Sequence, residues 1–150
     1  MDIKTKDSAI RDKILDFEEE MSKIPGIKFG DDAYPLKHSF ADGIYVREIN
    51  VPKGELIVTK IFKQSHAMFL LKGKCSILTV EGVKKIEAPF HMITAVGTKR
   101  IIYTHEDVVW VTVHNNSDNS QDLNLIENKV IAKTFDQLPT QEEIKQLKEA

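Results

Sequence analysis

Short runs of alternating apolar and polar residues, separated by turn-forming residues, occupy the chain from Tyr45 to about Ile126. A period of two is typical of half-buried β-strands, and the glycine, proline and asparagine residues between the runs favour turns. Many strands at this spacing indicate a β-sandwich or a β-barrel. The predicted strands are Tyr45–Asn50, Glu55–Lys63, Met68–Leu71, Cys75–Val80, Lys84–Glu87, His91–Ala95, Arg100–Thr104, Val108–His114 and Leu123–Ile126.

A helical pattern is present at each end of the chain. Near the start, apolar residues recur at spacings of three and four up to Pro25, which predicts an amphipathic helix over residues 1–25. Near the end, Thr140 and Glu143 form a capping box that predicts a short helix over residues 139–150. We therefore predict a single domain, with a barrel over residues 40–132 between the two helices. The apolar residues of the first helix are Ile10, Ile14, Phe17, Met21 and Ile24.

Strand parity predicts which side chains enter the barrel, because successive side chains of a strand point to opposite faces. In the last long strand, Val109, Val111 and Val113 share one face, which we expect to be buried apolar packing. The other face is mixed, as in a lumen that holds a ligand; it comprises Val108, Trp110, Thr112 and His114. If the segment from residue 55 to residue 66 is extended, every second side chain points to one face of the strand. These side chains belong to Leu56, Val58, Lys60, Phe62, Gln64 and His66.

Composition narrows the classes of function. The 150 residues are 41% hydrophobic and 29% charged, as expected for one soluble globular domain. The formal net charge of -2 gives no global field that would attract a nucleic-acid polymer or a membrane. The chain has no apolar stretch near the roughly 20 residues that span a bilayer, and its start lacks the core of a signal peptide. One cysteine, Cys75, fits a reducing compartment, so we expect a cytoplasmic protein.

The glycine spacing between Gly54 and Gly73 resembles the first motif of the cupin superfamily. In that motif, two histidines and a glutamate occupy the positions held here by Lys60, Phe62 and His66. A second stretch resembles the other cupin motif, with Arg100 at the position of a metal-binding histidine. The resemblance implies a mainly β fold with a single cupin-type barrel, a double-stranded β-helix or jelly roll, whose metal motif is degenerate.

The chain also resembles small cupin-like proteins of tailed phages and prophages. The shared features are Ala88-Pro89, Gly97-Thr98-Lys99-Arg100 and a strand that runs from Trp110 to His114. The chain departs from that pattern at Phe62 and Gln64, where histidines are usual. This resemblance implies a phage-encoded protein in the host cytoplasm or in the virion.

The exchange of expected metal ligands for cations suggests an anion site. A guanidinium stays protonated and has no lone pair for a metal, but it can clamp a carboxylate or a phosphate. Lys60, if it faces inward, also needs an anion, since an unpaired buried lysine is costly. We predict that the ligand contacts Lys60, Gln64, His66, Arg100, Trp110 and His114. The alternatives are salt bridges of Arg100 with Glu48, Glu87 or Asp107, and backbone hydrogen bonds of His66.

A metal site would need three or more ligands. His66 and His114 are the candidates, with Gln64 or Glu106 as poor third ligands. We therefore predict no cofactor, and a divalent Fe, Mn, Ni or Zn ion is the alternative. Other catalytic signatures, such as a P-loop, HExxH or a nucleophile elbow, are not found in the sequence.

Three functions fit these features. The favoured one is a non-catalytic, cupin-like binding protein that holds a small anionic molecule of the sugar phosphate or nucleotide type. The second is a structural or assembly protein, associated with a virion, in which the terminal helices hold a homo-oligomer together. The third is a metal-dependent dioxygenase or isomerase with a reduced ligand set.

Overall fold

The computed structural model describes residues 34–79, 82–98 and 100–132, together with four separate positions, Asp12, Asp16, Glu19 and Lys23. Apart from those positions, the helices predicted over 1–25 and 139–150 lie outside the described residues. Within these ranges the chain forms eleven strands and one helix. They are β1 Leu36–Ala41, β2 Ile44–Val51, β3 Leu56–Val58, β4 Ile61–Phe62, β5 His66–Lys72, β6 Lys74–Thr79, β7 Gly82–Glu87, β8 Phe90–Thr94, β9 Ile101–Thr104, β10 Val108–Asn115, α1 Leu123–Val130 and β11 Ile131–Ala132.

Two antiparallel sheets form the body of the protein. Their strand orders are β1-β2-β10-β5-β8 and β3-β9-β6-β7, and a short β11-β4 ribbon lies beside them. Without β1, β4 and β11, the eight main strands pair in a nested order: first with last (β2 and β10), then β3 with β9, β5 with β8, and β6 with β7. This nested pairing is the jelly-roll topology, so the predicted mainly β, cupin-type barrel is confirmed.

The core lies between the inner faces of the two sheets. Met68 and Leu70 from one sheet and Cys75 and Ile77 from the other are almost completely buried. Each belongs to a run in which alternate residues are apolar, so the period of two gives each sheet one face for the core. Burial raises the pKa of the Cys75 thiol to about 11, so this cysteine is an inert packing residue.

The turns contain the glycines of the predicted frame. Gly54, Gly73 and Gly97 all have positive φ angles, of 85°, 91° and 79°. At Gly73 the constraint is double, because a Cβ atom there would also collide with the backbone oxygen of Asp107. The spacing of these glycines in the sequence therefore corresponds to the positions of turns between the strands of the barrel.

The prediction of a strand over Leu123–Ile126 is wrong, because this segment begins helix α1. The Asp122 side chain caps the helix by accepting hydrogen bonds from the backbone amides of Asn124 and Leu125. Ile126 and Val130, one turn apart, are the buried residues of the helix. No helix in the described ranges is long and apolar enough to cross a bilayer.

Two further expectations need correction. The predicted Glu55–Lys63 strand is interrupted, with β3 and β4 separated by Thr59 and Lys60. The valine face of β10 is only half-buried, because it lies on the outer side of the five-stranded sheet, whereas the mixed face points to the core. Strands β1 and β11 are additions to the predicted set.

Candidate functional site

A cavity of about 90 Å³, here called the barrel cavity, opens between the inner faces of the two sheets. Its deeper wall is aliphatic, and polar, cationic and aromatic side chains complete it. The residues that line it are Arg47, Ile49, Val51, Ile57, Thr59, Lys60, Phe62, His66, Thr94, Thr98, Arg100, Ile102, Thr104, Val108, Trp110 and Thr112. The cavity thus combines an apolar interior with a few polar groups, as small-molecule sites do.

Two arginines in this wall are buried, with 8% of Arg47 and 7% of Arg100 exposed. Arg47 lies on β2 and is paired in register with Thr112 of β10. Arg100 directly precedes β9, and its backbone is fixed by two hydrogen bonds: its amide donates to the Thr59 hydroxyl and its carbonyl accepts from the Thr59 amide. The backbones of both arginines are therefore fixed by hydrogen bonds to neighbouring segments of the barrel.

The Arg100 guanidinium has unused hydrogen-bonding capacity. Its Nη2 donates to the Thr94 hydroxyl over 3.2 Å, while its buried Nε has no partner among the described residues. Burial lowers the pKa of Arg100, because removing water penalises its charged form. None of the predicted salt bridges to Glu48, Glu87 or Asp107 is found. A buried cation with an unsatisfied donor is costly unless an anion or another acceptor pairs with it.

The charges around the barrel cavity are of one sign. Arg47, Lys60 and Arg100 line it, and no aspartate or glutamate is among its described lining residues. The Lys60 ammonium lies 2.8 Å from the carboxylate of Glu127, which belongs to α1 and not to the lining. The charged side chains among the described lining residues are thus all cationic, and an anion that enters the cavity would offset the desolvation of Arg100.

Two histidines contact Phe62, but only His66 lines the barrel cavity. The ring centres of His66 and His114 are 4.6 Å apart, and Phe62 contacts both rings. Burial lowers the pKa of His66, and Arg100 adds to this effect, whereas the Gln64 carbonyl acts in the opposite direction. Burial, then His66 and then Arg47 lower the pKa of His114 to about 3. Both imidazoles are therefore neutral near pH 7.

The structure places four of the six predicted ligand contacts in the lining of the barrel cavity: Lys60, His66, Arg100 and Trp110. Gln64 is exposed and does not line it, because the turn after β4 breaks the alternation that predicted an inward side chain. His114 lies behind Phe62 and His66 and does not line it either. The binding roles of these residues stay predictions.

Arg47 is the main residue that sequence analysis missed. It alternates on β2 with Tyr45, Ile49 and Val51, which are inward apolar residues. Lys60 was singled out because it is a charged residue at a position where the strand alternation predicts an inward side chain. Arg47 has the same property, so the alternation could have identified it too.

The cupin resemblance implies a metal, but the side chains present do not fit one. Phe62, Lys60 and Arg100 replace ligands, and neither an ammonium nor a guanidinium offers a lone pair. Within the described part of the chain, no group of three or more histidine, cysteine, aspartate or glutamate side chains could hold an ion. Glu106, a proposed third ligand, is exposed in the turn after β9. The absence of a cofactor remains a prediction.

Comparisons with known proteins give structural neighbours only. No family model matches the chain, and no curated protein matches it. A cupin-2 domain protein from Shewanella frigidimarina is 8% identical, with 71% of this chain and 99% of that chain covered and a TM-score of 0.47. A cupin domain from Bordetella pertussis is 14% identical (61% and 99% covered, TM-score 0.45).

An acetylacetone dioxygenase from Acinetobacter johnsonii is 14% identical, with 59% of this chain and 71% of that chain covered and a TM-score of 0.47. This chain is thus similar in fold to cupin domains. Because the identities and TM-scores are low, its assignment as a jelly roll rests on its own nested strand pairing.

Proposed function

We propose that the barrel cavity binds a small anionic molecule, of the sugar phosphate or nucleotide type, and does not transform it. The observation that carries this proposal is the buried guanidinium of Arg100, whose Nε has no partner among the described residues, in a lining whose described residues include no carboxylate. A planar guanidinium can bind two oxygens of a phosphate or a carboxylate at once. The free Nε of Arg100 is a donor that such an oxygen would satisfy.

The dimensions of the cavity limit what enters it. Its volume of about 90 Å³ is well below the roughly 300–1,000 Å³ of sites that enclose a whole drug-sized ligand. The anionic group is therefore the part that enters, where the hydroxyls of Thr94, Thr98 and Thr112 add neutral hydrogen-bonding groups. The remainder of the molecule extends past Lys60 and Phe62.

The absence of catalysis is part of the proposal. A general acid or base needs a suitable pKa and access to the reacting proton. The two histidines are buried and neutral, and the described lining of the barrel cavity contains no carboxylate. We therefore expect bound anions to be recovered unchanged after prolonged incubation.

A calorimetric titration tests the proposal. Inorganic phosphate, ribose 5-phosphate and adenosine 5′-monophosphate are compared with neutral ribose. We expect the anions to bind and ribose not to bind, and we expect Arg100→Met to weaken anion binding about ten- to hundredfold, as for the loss of a charged hydrogen bond. Lys53→Met removes an exposed cation elsewhere and serves as the control. Binding by none of the anions, or equal binding by Arg100→Met, would overturn the proposal.

An assembly role is the second candidate, and exposed apolar side chains favour it. Ile93, Leu71 and Leu125 are 69%, 59% and 54% exposed on the outer surface. Such side chains are often covered in oligomers. Light scattering of the purified protein measures its mass, and a monomer at all concentrations would remove this candidate together with the predicted homo-oligomer. The resemblance to phage proteins stays a prediction, which the flanking genes test.

A further inference from the structure

A second cavity, of about 250 Å³, lies between helix α1 and the inner faces of β1 and β2. It adjoins the barrel cavity, because Arg47 and Phe62 line both. The walls of the second cavity include the rings of His38, Tyr45 and His114.

We propose that the second cavity holds a planar aromatic ring carried by the same anion whose charged group enters the barrel cavity. This inference rests on the proposed function and defines its ligand class: an aromatic or heteroaromatic anion, such as a nucleoside monophosphate. The shared lining residues Arg47 and Phe62 make it feasible for one molecule to occupy both cavities.

The walls of the second cavity suit a ring. Tyr45 packs between His38 and His114, with ring centres 5.8 Å and 5.9 Å apart, and Ile126 and Val130 of α1 add aliphatic surface. Planar groups gain both from burial and from offset contacts with such rings. His38 Nδ1 and the Tyr45 hydroxyl lie 2.6 Å apart, which fixes these two side chains.

An unpartnered polar atom is part of the same wall. His114 is 2% exposed, and its Nδ1 has no hydrogen-bond partner among the described residues, while its Nε2 lies 2.8 Å from the Thr112 hydroxyl. A buried polar atom without a hydrogen-bond partner is costly, and a heteroatom of a bound ring can form the missing hydrogen bond with this nitrogen.

Charge gives the ligand one orientation. The second cavity has a carboxylate in its wall, Glu127, whereas the described lining of the barrel cavity has none. Glu127 is paired with Lys60, so the anionic group is directed by Arg100, which lines the barrel cavity and not the second cavity. The charged end of the ligand therefore points into the barrel cavity. The ring then lies beneath α1, where Glu127 can accept a hydrogen bond from a ring amino group.

Matched substitutions on α1 test the inference. Asn124 lines the second cavity and is exposed, so Asn124→Trp fills the cavity without disturbing the core. Leu125→Trp, at the next position, adds the same bulk at an exposed residue outside the cavity. Affinities for inorganic phosphate, ribose 5-phosphate, adenosine 5′-monophosphate and adenosine are measured by calorimetry.

The wild-type protein is expected to bind adenosine 5′-monophosphate at least about tenfold more tightly than ribose 5-phosphate, as for one base stacked on aromatic rings. Asn124→Trp should abolish this preference, and Leu125→Trp should retain it. Equal binding of the two phosphates by the wild type, or a preference that survives Asn124→Trp, would overturn the second cavity as a ring site while anion binding stands. Binding of adenosine alone would instead retain the ring site and overturn the anion site, and binding of none would overturn both.

Discussion

At the scale of single residues, His66 and His114 show how the barrel controls charge. Their rings lie side by side, and the fields of Arg100 at His66 and of Arg47 at His114 both disfavour a further positive charge. A proton on His114 would place a further buried cation next to Arg47, and burial already disfavours it. The imidazoles are therefore neutral hydrogen-bonding groups, and under the proposed function the positive charge that meets an incoming anion belongs to Arg100 rather than to the histidines.

The lowered pKa of His114 predicts acid sensitivity. Between pH 6.5 and about 3 the unfolded chain binds a proton at this residue and the folded chain does not, so stability falls as the pH falls. From pH 7 to pH 5 this contribution is about 2 kcal/mol. Urea unfolding at both pH values should show a smaller loss for His114→Phe than for the wild type. His91→Phe, at an exposed histidine, is the control, and equal losses in both variants would contradict the prediction.

The surroundings of Gly73 leave no room for a side chain, which predicts that substitutions there destabilise the fold. Ala at Gly73 meets the backbone oxygen of Asp107 and must also adopt a φ of 91°. We expect Gly73→Ala to lower the free energy of unfolding by about 3 kcal/mol or more, since backbone strain and overpacking add. Gly54→Ala, with a similar φ and no atom within 4 Å, should lower it by only about 1–2 kcal/mol. Similar losses in the two variants would show that the contact at Gly73 relaxes.

The cationic residues show what parity can and cannot predict. Lys60 was predicted to face inward and does line the cavity, although Thr59 lines it too because the strand is interrupted there. The same interruption removes Gln64 from the predicted set. Parity is reliable only within one continuous strand, and the sequence does not show where hydrogen bonding to a neighbouring strand ends.

At the scale of elements, the strands of the two sheets were predictable and the α1 region was not. Eight of the nine predicted strand segments overlap strands because alternation and turn residues are local signals. Leu123 and Leu125 also alternate, but the Asp122 cap and the burial of Ile126 favour a helix. The second cavity depends on α1, so it could not be inferred from a pattern that predicted a strand.

The cap of α1 gives a prediction at this scale. Asp122→Ala removes the acceptor of two backbone amides at the start of the helix. We expect a loss of about 1 kcal/mol in the free energy of unfolding, with faster hydrogen exchange of the α1 amides than of the sheet amides. Asp42→Ala, in the exposed turn between β1 and β2, should change neither quantity. Unaltered exchange in Asp122→Ala would mean that packing alone holds the helix.

At the scale of the whole molecule, a buried cation in the lumen of the jelly roll lowers the stability of the fold, and the proposed anion binding would offset that loss. The nested strands supply a rigid apolar body, with Met68, Leu70 and Ile77 at its centre. The buried guanidinium of Arg100 adds desolvation that its single hydrogen bond to Thr94 offsets only in part. An anion that binds the folded state alone therefore stabilises the whole barrel.

The cost of burying Arg100 predicts that Arg100→Met changes the free energy of unfolding relative to the wild type in opposite directions without and with a bound anion. Without an anion, Arg100→Met should be at least as stable as the wild type, with a gain of about 1 kcal/mol, because an apolar side chain replaces a desolvated cation. At a phosphate concentration 100 times the dissociation constant, the wild type should gain about 2.7 kcal/mol and the variant almost nothing. Thermal and urea unfolding measure both quantities, with Lys53→Met as the control for lost surface charge. An Arg100→Met variant less stable than the anion-free wild type by more than about 2 kcal/mol would show that the bond to Thr94 makes Arg100 a structural residue.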